Sequence, residues 1–250
     1  MNSRFPILAA TLVAAALPAR ADEAPPPVTG NVALTSNYKF RGQDQGGNRP
    51  AIQGGFDFSY QGFYLGNWNS SINFPATTVE LDDGSTQTVS HSAGIEMDFY
   101  GGYKGEISGF TYDVGVIEYY YPQKDKWVNF DTTELYVGVG FGPVSAKYSR
   151  TVSNKYFGVL EGQDTGYFDI SASYEVSPGI TLGAHWGTTQ FSSDAKHTGG
   201  AEDFDDYKAG VTFALPYGFA LNAAYAGANK KGFYGDINKG RFIATLSKSL

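Results

Sequence analysis

The sequence predicts an all-β protein, a single antiparallel up-and-down transmembrane β-barrel with about 12 strands. Three observations predict it: apolar and polar residues alternate in long segments, short and long connections alternate between the segments, and Gly and aromatic residues are abundant. The chain has 32 Gly, 18 Tyr and 18 Phe among 250 residues, and only 17% of its residues are charged. Strands of about ten alternating residues have the length that a tilted strand needs to cross a bilayer.

The N-terminal region precedes the barrel and has a different pattern. Arg4 comes before an apolar run at residues 7–17, and the small-residue pattern Ala19-Arg20-Ala21 follows. This layout predicts a secretory signal peptide at residues 1–21, with cleavage after Ala21. A short helix of the mature protein is the alternative, but the apolar run is too short to span a membrane. The Pro-rich residues 22–29 are expected to form a flexible periplasmic segment, and residues 30–250 the barrel.

Twelve segments of the remaining chain alternate with period two, and we expect each to form one strand. They are residues 31–41, 52–60, 63–74, 92–103, 110–121, 134–141, 144–152, 167–176, 180–190, 207–215, 219–225 and 241–250. The hairpin at 166–191 shows the pattern most clearly, because Ser177, Pro178 and Gly179 separate its two strands with turn chemistry. In the third segment Trp68 and Ile72 are out of phase with the start of the strand, which predicts a bulge.

The connections between these segments fall into two classes. Five of them, near Gln61, Lys104, Gly142, Ser177 and Pro216, take about two to six residues, whereas the other six take about nine to seventeen. Because the two classes alternate strictly, all short turns lie at one end of the sheet and all long loops at the other. This is the layout of periplasmic turns and extracellular loops in the bacterial outer membrane.

Alternation alone leaves open whether the apolar face points inwards, as in a soluble barrel, or outwards to lipid. The strands are longer than those of most soluble sheets, and their polar face is rich in Gly, Ser, Thr and Asn. A β-propeller is a further alternative, but a blade needs four short strands where this chain has two long ones. Aromatic residues near the strand ends favour lipid, as in the girdles of membrane barrels: Phe40, Tyr60, Tyr103, Phe110, Phe141 and Tyr174.

Several motifs resemble those of a known family, the proteobacterial TorF family of porins, over essentially the whole mature chain. They are SNYKFRG at 36–42, PAIQGG at 50–55, GFYLGNW at 62–68, YYYP at 119–122, ELYVGV at 134–139 and SAKY at 145–148. The resemblance implies an outer-membrane barrel that passes small solutes. It implies no substrate and no catalytic residue.

Charged residues of the polar face are the candidate functional residues, because rings of charge set the ion preference of a pore. If they pair across the lumen, the barrel is closed. If they leave a gap, it is a narrow pore with a mild preference for cations, since acids outnumber bases. The expected lumen-lining residues are Lys39, Arg41, Asp57, Glu96, Asp98, Asp113, Glu134, Lys147, Asp169, Glu175, His185 and Lys208.

Enzyme and metal chemistry are weakly supported by the sequence. His91 and His197 fall in long loops, and His185 has only Ser171 or Ser173 of the neighbouring strand as a candidate nucleophile. A nucleophile needs a base that a third group orients, and no local signature supplies one. The acidic groups at 80–84 and 201–206 could hold Ca²⁺, but neither has EF-hand spacing, and solvated loops are the default interpretation. We therefore expect no enzyme, no metal and no cofactor.

The predicted function is a porin-like channel of the outer membrane for passive diffusion of small hydrophilic solutes, with selectivity from lumen size and charge. A closed structural or adhesive barrel that binds a surface partner through its long loops is the alternative, and an outer-membrane enzyme is third. The expected partners are outer-membrane lipid, lipopolysaccharide and the solutes, whereas the oligomeric state is open. A net charge of −7, or about −9 without the signal peptide, disfavours nucleic acid.

Overall fold

The structure is a computed structural model that describes residues 27–73, 77–80, 86–89, 94–122 and 129–250. The predicted signal peptide, residues 1–21, lies outside these ranges, and so do residues 22–26 of the segment that follows it. None of the helices in the described ranges has the length and apolar character needed to cross a membrane.

Twelve of the strands close into one antiparallel barrel, which confirms the predicted fold class. The strands are β1 Val28–Thr35, β2 Lys39–Phe40, β3 Gln43–Asp44, β4 Ala51–Tyr60, β5 Phe63–Ser71, β6 Thr77–Glu80, β7 Thr86–Val89, β8 Ile95–Ile107, β9 Phe110–Tyr120, β10 Thr132–Phe141, β11 Val144–Thr151, β12 Gly166–Ser177, β13 Ile180–Gln190, β14 Phe204–Ala214, β15 Phe219–Ala228 and β16 Arg241–Ser249. The short pairs β2–β3 and β6–β7 form separate ribbons, and two helices, α1 Ser193–His197 and α2 Lys231–Tyr234, lie in the long loops.

The barrel closes where the first strand meets the last. β1 pairs with β4 on one side and with β16 on the other, and Asn31 lies opposite Ser249 in the second pairing. The Leu250 amide also donates to the Gly30 carbonyl oxygen at 2.8 Å, which extends the ladder to the end of the chain. No barrel strand therefore has an open edge, since each is bonded to two neighbours.

Short and long connections alternate around the barrel as predicted. Two of the short turns have left-handed backbone at both central residues: Gln61 and Gly62 have φ of 48° and 89°, and Ser108 and Gly109 have φ of 52° and 83°. Turns of this kind match the twist of the flanking strands and hold adjacent strands tightly together. Because short and long connections alternate along the chain, all five short turns lie at one end of the barrel.

The two faces of each strand differ sharply in exposure. Ile52 and Leu65, on the apolar phase, are 62% and 65% exposed, whereas Glu96 and Glu134, on the polar phase, are 2% and 1% exposed. In a closed barrel the outer surface is accessible and the inner surface is covered, so the apolar phase faces outwards. The polar phase lines the interior.

The first strand is shorter than predicted, and this is one correction to the sequence analysis. It ends at Thr35, and residues 36–49 turn into the barrel and form the β2–β3 ribbon. Arg41 and Gly42 make its tight turn with φ of 46° and 74°. A Cβ atom at Gly42 would lie 2.5 Å from the carbonyl oxygen of Gly227, so only glycine fits there. Lys39 and Arg41 therefore belong to this inner ribbon and not to a barrel strand.

The predicted bulge in the third strand is wrong. β5 pairs in continuous register with β4 and with β8. Trp68 faces the interior, where its ring packs edge-on against that of Tyr38 with centroids 5.5 Å apart. Asn67 and Asn69 are on the outward face of the strand. Their side chains hydrogen-bond to each other, with the Asn69 amide donating to Asn67 Oδ1 at 2.6 Å. The irregular pattern thus reflects an inward aromatic residue and outward amides, with no extra residue in the strand.

Candidate functional site: the barrel interior

The inner ribbon is fixed to the barrel wall by a buried ion pair. The Arg41 guanidinium donates to both carboxylate oxygens of Glu134 on β10, at 2.8 and 2.6 Å, and to the Tyr156 hydroxyl at 2.9 Å. Its Cζ atom also lies 4.0 Å from the centre of the Tyr167 ring. Buried charges need such a complete set of partners, because an unpaired charge away from water is costly. The ribbon is therefore held firmly inside the lumen.

Tyrosine hydroxyls satisfy several interior carboxylates. Glu96 accepts one hydrogen bond from Tyr38 and one from Tyr121, both at 2.6 Å. Burial, together with the nearby Glu96 and Asp98 carboxylates, raises the pKa of Tyr38, so this residue stays a neutral donor. The same type of contact recurs at 2.6 Å in the pairs Tyr100–Asp57 and Tyr64–Asp113.

His185 lies between two carboxylates. Its Nε2 atom is 2.6 Å from Asp206, and its Nδ1 atom contacts Asp169. Ser171 is 3.5 Å from the Nδ1 atom, and its hydroxyl donates to Asp169 at 2.9 Å. A general base needs a ring nitrogen that is free to accept the proton of its nucleophile. Both nitrogens of His185 face carboxylates, so this geometry favours an ion pair over a hydrolase site.

Two sides of the interior can be distinguished by these contacts. The paired side comprises Arg41 and the wall residues that form ion pairs, which are Glu134 on β10, Asp169 on β12, His185 on β13 and Asp206 at the start of β14. The open side lies beside the ribbon, between β14 to β16 and β1 on one wall and β4, β5 and β8 on the other, and contains a cavity of about 100 Å³. Lys39, Asp98 and Lys208 are the charged residues that line this cavity.

Several polar atoms of the open side have no protein partner in the part of the chain that the structure describes. They are Asp98 Oδ1, both side-chain polar atoms of Asn37 and the Trp68 Nε1 atom. Lys208 likewise takes part in none of the ion pairs formed among the described residues. Buried polar groups normally find a partner, so groups that converge on a cavity are suited to hydrogen-bond a solute or water.

Lys39 links the ribbon to the last long loop. Its ammonium group donates to the carbonyl oxygens of Gly42 and Ile237, both at 2.9 Å. Burial lowers its pKa to about 8, an effect that Asp44 opposes and Arg241 reinforces. At neutral pH most molecules therefore carry a positive charge at this point of the cavity wall.

The structure places ten of the twelve predicted lumen residues on barrel strands, in the inward phase, and the other two, Lys39 and Arg41, on the ribbon. Glu175 is exposed near a short turn, where it accepts from the Gly179 amide at 2.8 Å. The Nζ atom of Lys147 lies 4.0 Å from the centre of the Tyr136 ring.

Asp206 is a functional candidate that the sequence analysis missed. The strand was expected to begin at Tyr207, which left Asp206 in a loop, whereas β14 begins at Phe204. The inward phase of Phe204, Asp206 and Lys208 continues the alternation of the strand and could have revealed it.

The acidic loop at 201–206 is neutralised by basic and amide side chains. Glu202 pairs with Lys230 at 2.5 Å and Asp203 with Lys196 at 2.6 Å. No group of three metal-ligating side chains occurs within the described ranges. The side chains of the other acidic group, residues 80–84, and His91 lie outside the described part of the chain. His197 is in α1, where its Nδ1 atom lies 2.7 Å from the Ser193 carbonyl oxygen.

Solved outer-membrane porins share the architecture of this closed antiparallel barrel. The chain is similar in fold to the KdgM porin, with a TM-score of 0.53 and 7% identity over 89% of this chain and 98% of that one. It is also similar to the NanC porin, with a TM-score of 0.50 and 9% identity over 88% and 97% of the two chains. At such low identity this likeness defines the fold alone.

The family of the chain follows from its sequence. It belongs to Gcw_chp, a family of bacterial proteins of unknown function, whose model matches residues 19–249. A comparison with curated proteins gave no match. The resemblance to the TorF porins agrees with the porin fold but stays a prediction.

Proposed function

We propose that the protein is an outer-membrane channel through which small hydrophilic solutes diffuse passively along the open side of its lumen. The observation that carries the proposal is the cavity of about 100 Å³ left beside the ribbon, lined by hydroxyl, amide and charged side chains. Barrels of this fold include the KdgM porin, one structure of which is in complex with disordered oligogalacturonate. The resemblance of the sequence motifs to those of the TorF porins supports the same role.

The outer surface supports a position in a membrane. Phe56, Leu65 and Phe242 are 64%, 65% and 85% exposed, and a continuous apolar band of this kind is costly in water. Exposed aromatic residues also flank the short turns, as Tyr60 and Phe63 do. We take lipid and lipopolysaccharide to cover this surface, with the short turns in the periplasm. The expected signal peptide would direct the chain there.

A closed barrel that acts through its loops is the second candidate, and the paired side favours it. The ion pair between Arg41 and Glu134 and the contacts of His185 occupy part of the lumen and neutralise its charges. The loops also share a small apolar core that includes Tyr156, Phe191 and Phe204. The two candidates differ in one measurable property, the passage of solutes.

Planar-bilayer recordings and liposome swelling separate the candidates. The refolded mature protein should give small, discrete conductance steps, and liposomes that contain it should swell in small amino acids faster than in larger sugars. The double variant Arg41→Met, Glu134→Gln removes the ribbon anchor without leaving one buried charge unpaired, and should raise the conductance. A folded wild-type barrel that gives no channel events and no swelling would refute the channel and leave the closed barrel.

A further inference from the structure

The partnerless polar groups of the interior collect around one cavity. Asn37, Trp68 and Asp98 are 4%, 7% and 1% exposed and line this cavity, and each carries a buried polar atom without a hydrogen-bond partner among the described residues. The set comprises an amide that donates and accepts, an indole that donates and a carboxylate that accepts. Lys208 adds an ammonium group without a counter-ion among the described residues.

The acidic and the basic side chain of this cavity lie on opposite walls. Asp98 is on β8 and Lys208 is on β14, and these strands are six positions apart in both directions around the twelve-stranded ring. Both side chains take the inward phase and line the same cavity. They do not pair with each other, so a solute between them would meet a carboxylate at one end and an ammonium group at the other.

From this arrangement we infer that the cavity binds a small zwitterion, with its ammonium group at Asp98 and its carboxylate at Lys208. The inference rests on the proposed channel, since the site lies on the solute path. A simple carboxylate would leave Asp98 unpaired, and a neutral sugar would leave both charges unpaired, which is costly in a confined interior. A zwitterion satisfies both charges, and the Asn37 amide can add a hydrogen bond to it because an amide both donates and accepts.

Isothermal titration with ω-amino acids tests the site and measures its length. Glycine, β-alanine, 4-aminobutyrate and 6-aminohexanoate share the same two charges at increasing separation. Butyrate and butylamine carry one charge each and serve as controls. The refolded barrel in detergent should bind one member of the series at least about tenfold more tightly than either control, because each charge-assisted contact contributes about that factor.

Two variants assign the charges. Asp98→Asn should abolish the preference for the zwitterion over butyrate, and Lys208→Met should abolish the preference over butylamine. Lys147→Met removes the same charge from the interior but outside the cavity, and should keep wild-type affinity. Equal binding of zwitterion and butyrate by the wild type, or an unchanged preference in both cavity variants, would overturn the inference.

Conductance separates failure of the site from failure of the channel. A barrel that conducts salt but binds none of the zwitterions would overturn the site and leave the channel in place. A barrel that binds the zwitterion in detergent but gives no current would support the site and refute the channel.

Discussion

The paired and open sides of the lumen are built from the same types of residue, yet they have different consequences. On the paired side Arg41 forms an ion pair with Glu134, and His185 forms ion pairs with Asp169 and Asp206. These charged side chains therefore pack against one another. On the open side Lys208 and Asp98 face each other without contact, and a cavity remains. The position of the ribbon, and not the number of interior charges, therefore decides where a cavity remains in the polar lumen.

The largest expected difference between the two sides is in stability. Arg41→Met leaves Glu134 buried without its partner and should lower the free energy of unfolding by about 3 kcal/mol. Lys208→Met removes an equal charge that has no ion pair among the described residues, so it should be neutral or slightly stabilising. Urea unfolding in detergent micelles measures both. Similar losses in the two variants would contradict the division of the lumen.

A smaller loss is expected where a tyrosine satisfies an interior acid. Tyr38→Phe keeps the ring that packs on Trp68 but removes the hydrogen bond to Glu96, and should cost about 2 kcal/mol in the same unfolding assay. Tyr217→Phe changes a residue that is 89% exposed and is the matched control. An equal effect of the two substitutions would show that the Glu96 contact adds nothing.

Ion selectivity should depend on pH because of Lys39, which lines the cavity of the open side. Burial lowers the pKa of Lys39 to about 8, so its positive charge is present below that pH and is lost as the pH rises through it. The reversal potential in a salt gradient should therefore shift towards greater cation selectivity between about pH 7 and pH 9. Lys39→Met should remove this part of the shift. A wild-type profile that is flat across this range would contradict the assignment.

The smallest effect is expected at the surface of the loops. Arg150 and Asp164 form an ion pair at 2.8 Å in which both side chains are more than half exposed. Solvent screens such pairs, so Arg150→Ala should change the unfolding free energy by less than about 1 kcal/mol. A loss as large as that of Arg41→Met would show that burial does not control the strength of these pairs.

Much of the fold follows from period two alone. Alternation places Glu96, Asp98 and Glu134 on one face of their strands, and the strict order of short and long connections predicts an even, closed barrel. The strand prediction from alternation is wrong at residues 36–41, because the same alternation of apolar and polar residues continues after β1 has ended. The positive φ at Arg41 and Gly42 and the partner Glu134, 93 residues away, bend this segment inwards. A long-range ion pair of this kind leaves no local signal in the sequence.

The most direct test of the account uses the absence of cysteine from the chain. Ser247 lines the open cavity and Ser149, 2% exposed, faces the paired side, so Ser247→Cys and Ser149→Cys are matched inward substitutions. A water-soluble thiol reagent should react quickly with the Ser247→Cys barrel and reduce its single-channel current. It should leave the Ser149→Cys barrel unmodified. Equal reaction at both positions, or modification of the Ser247→Cys barrel without any change in current, would contradict the account.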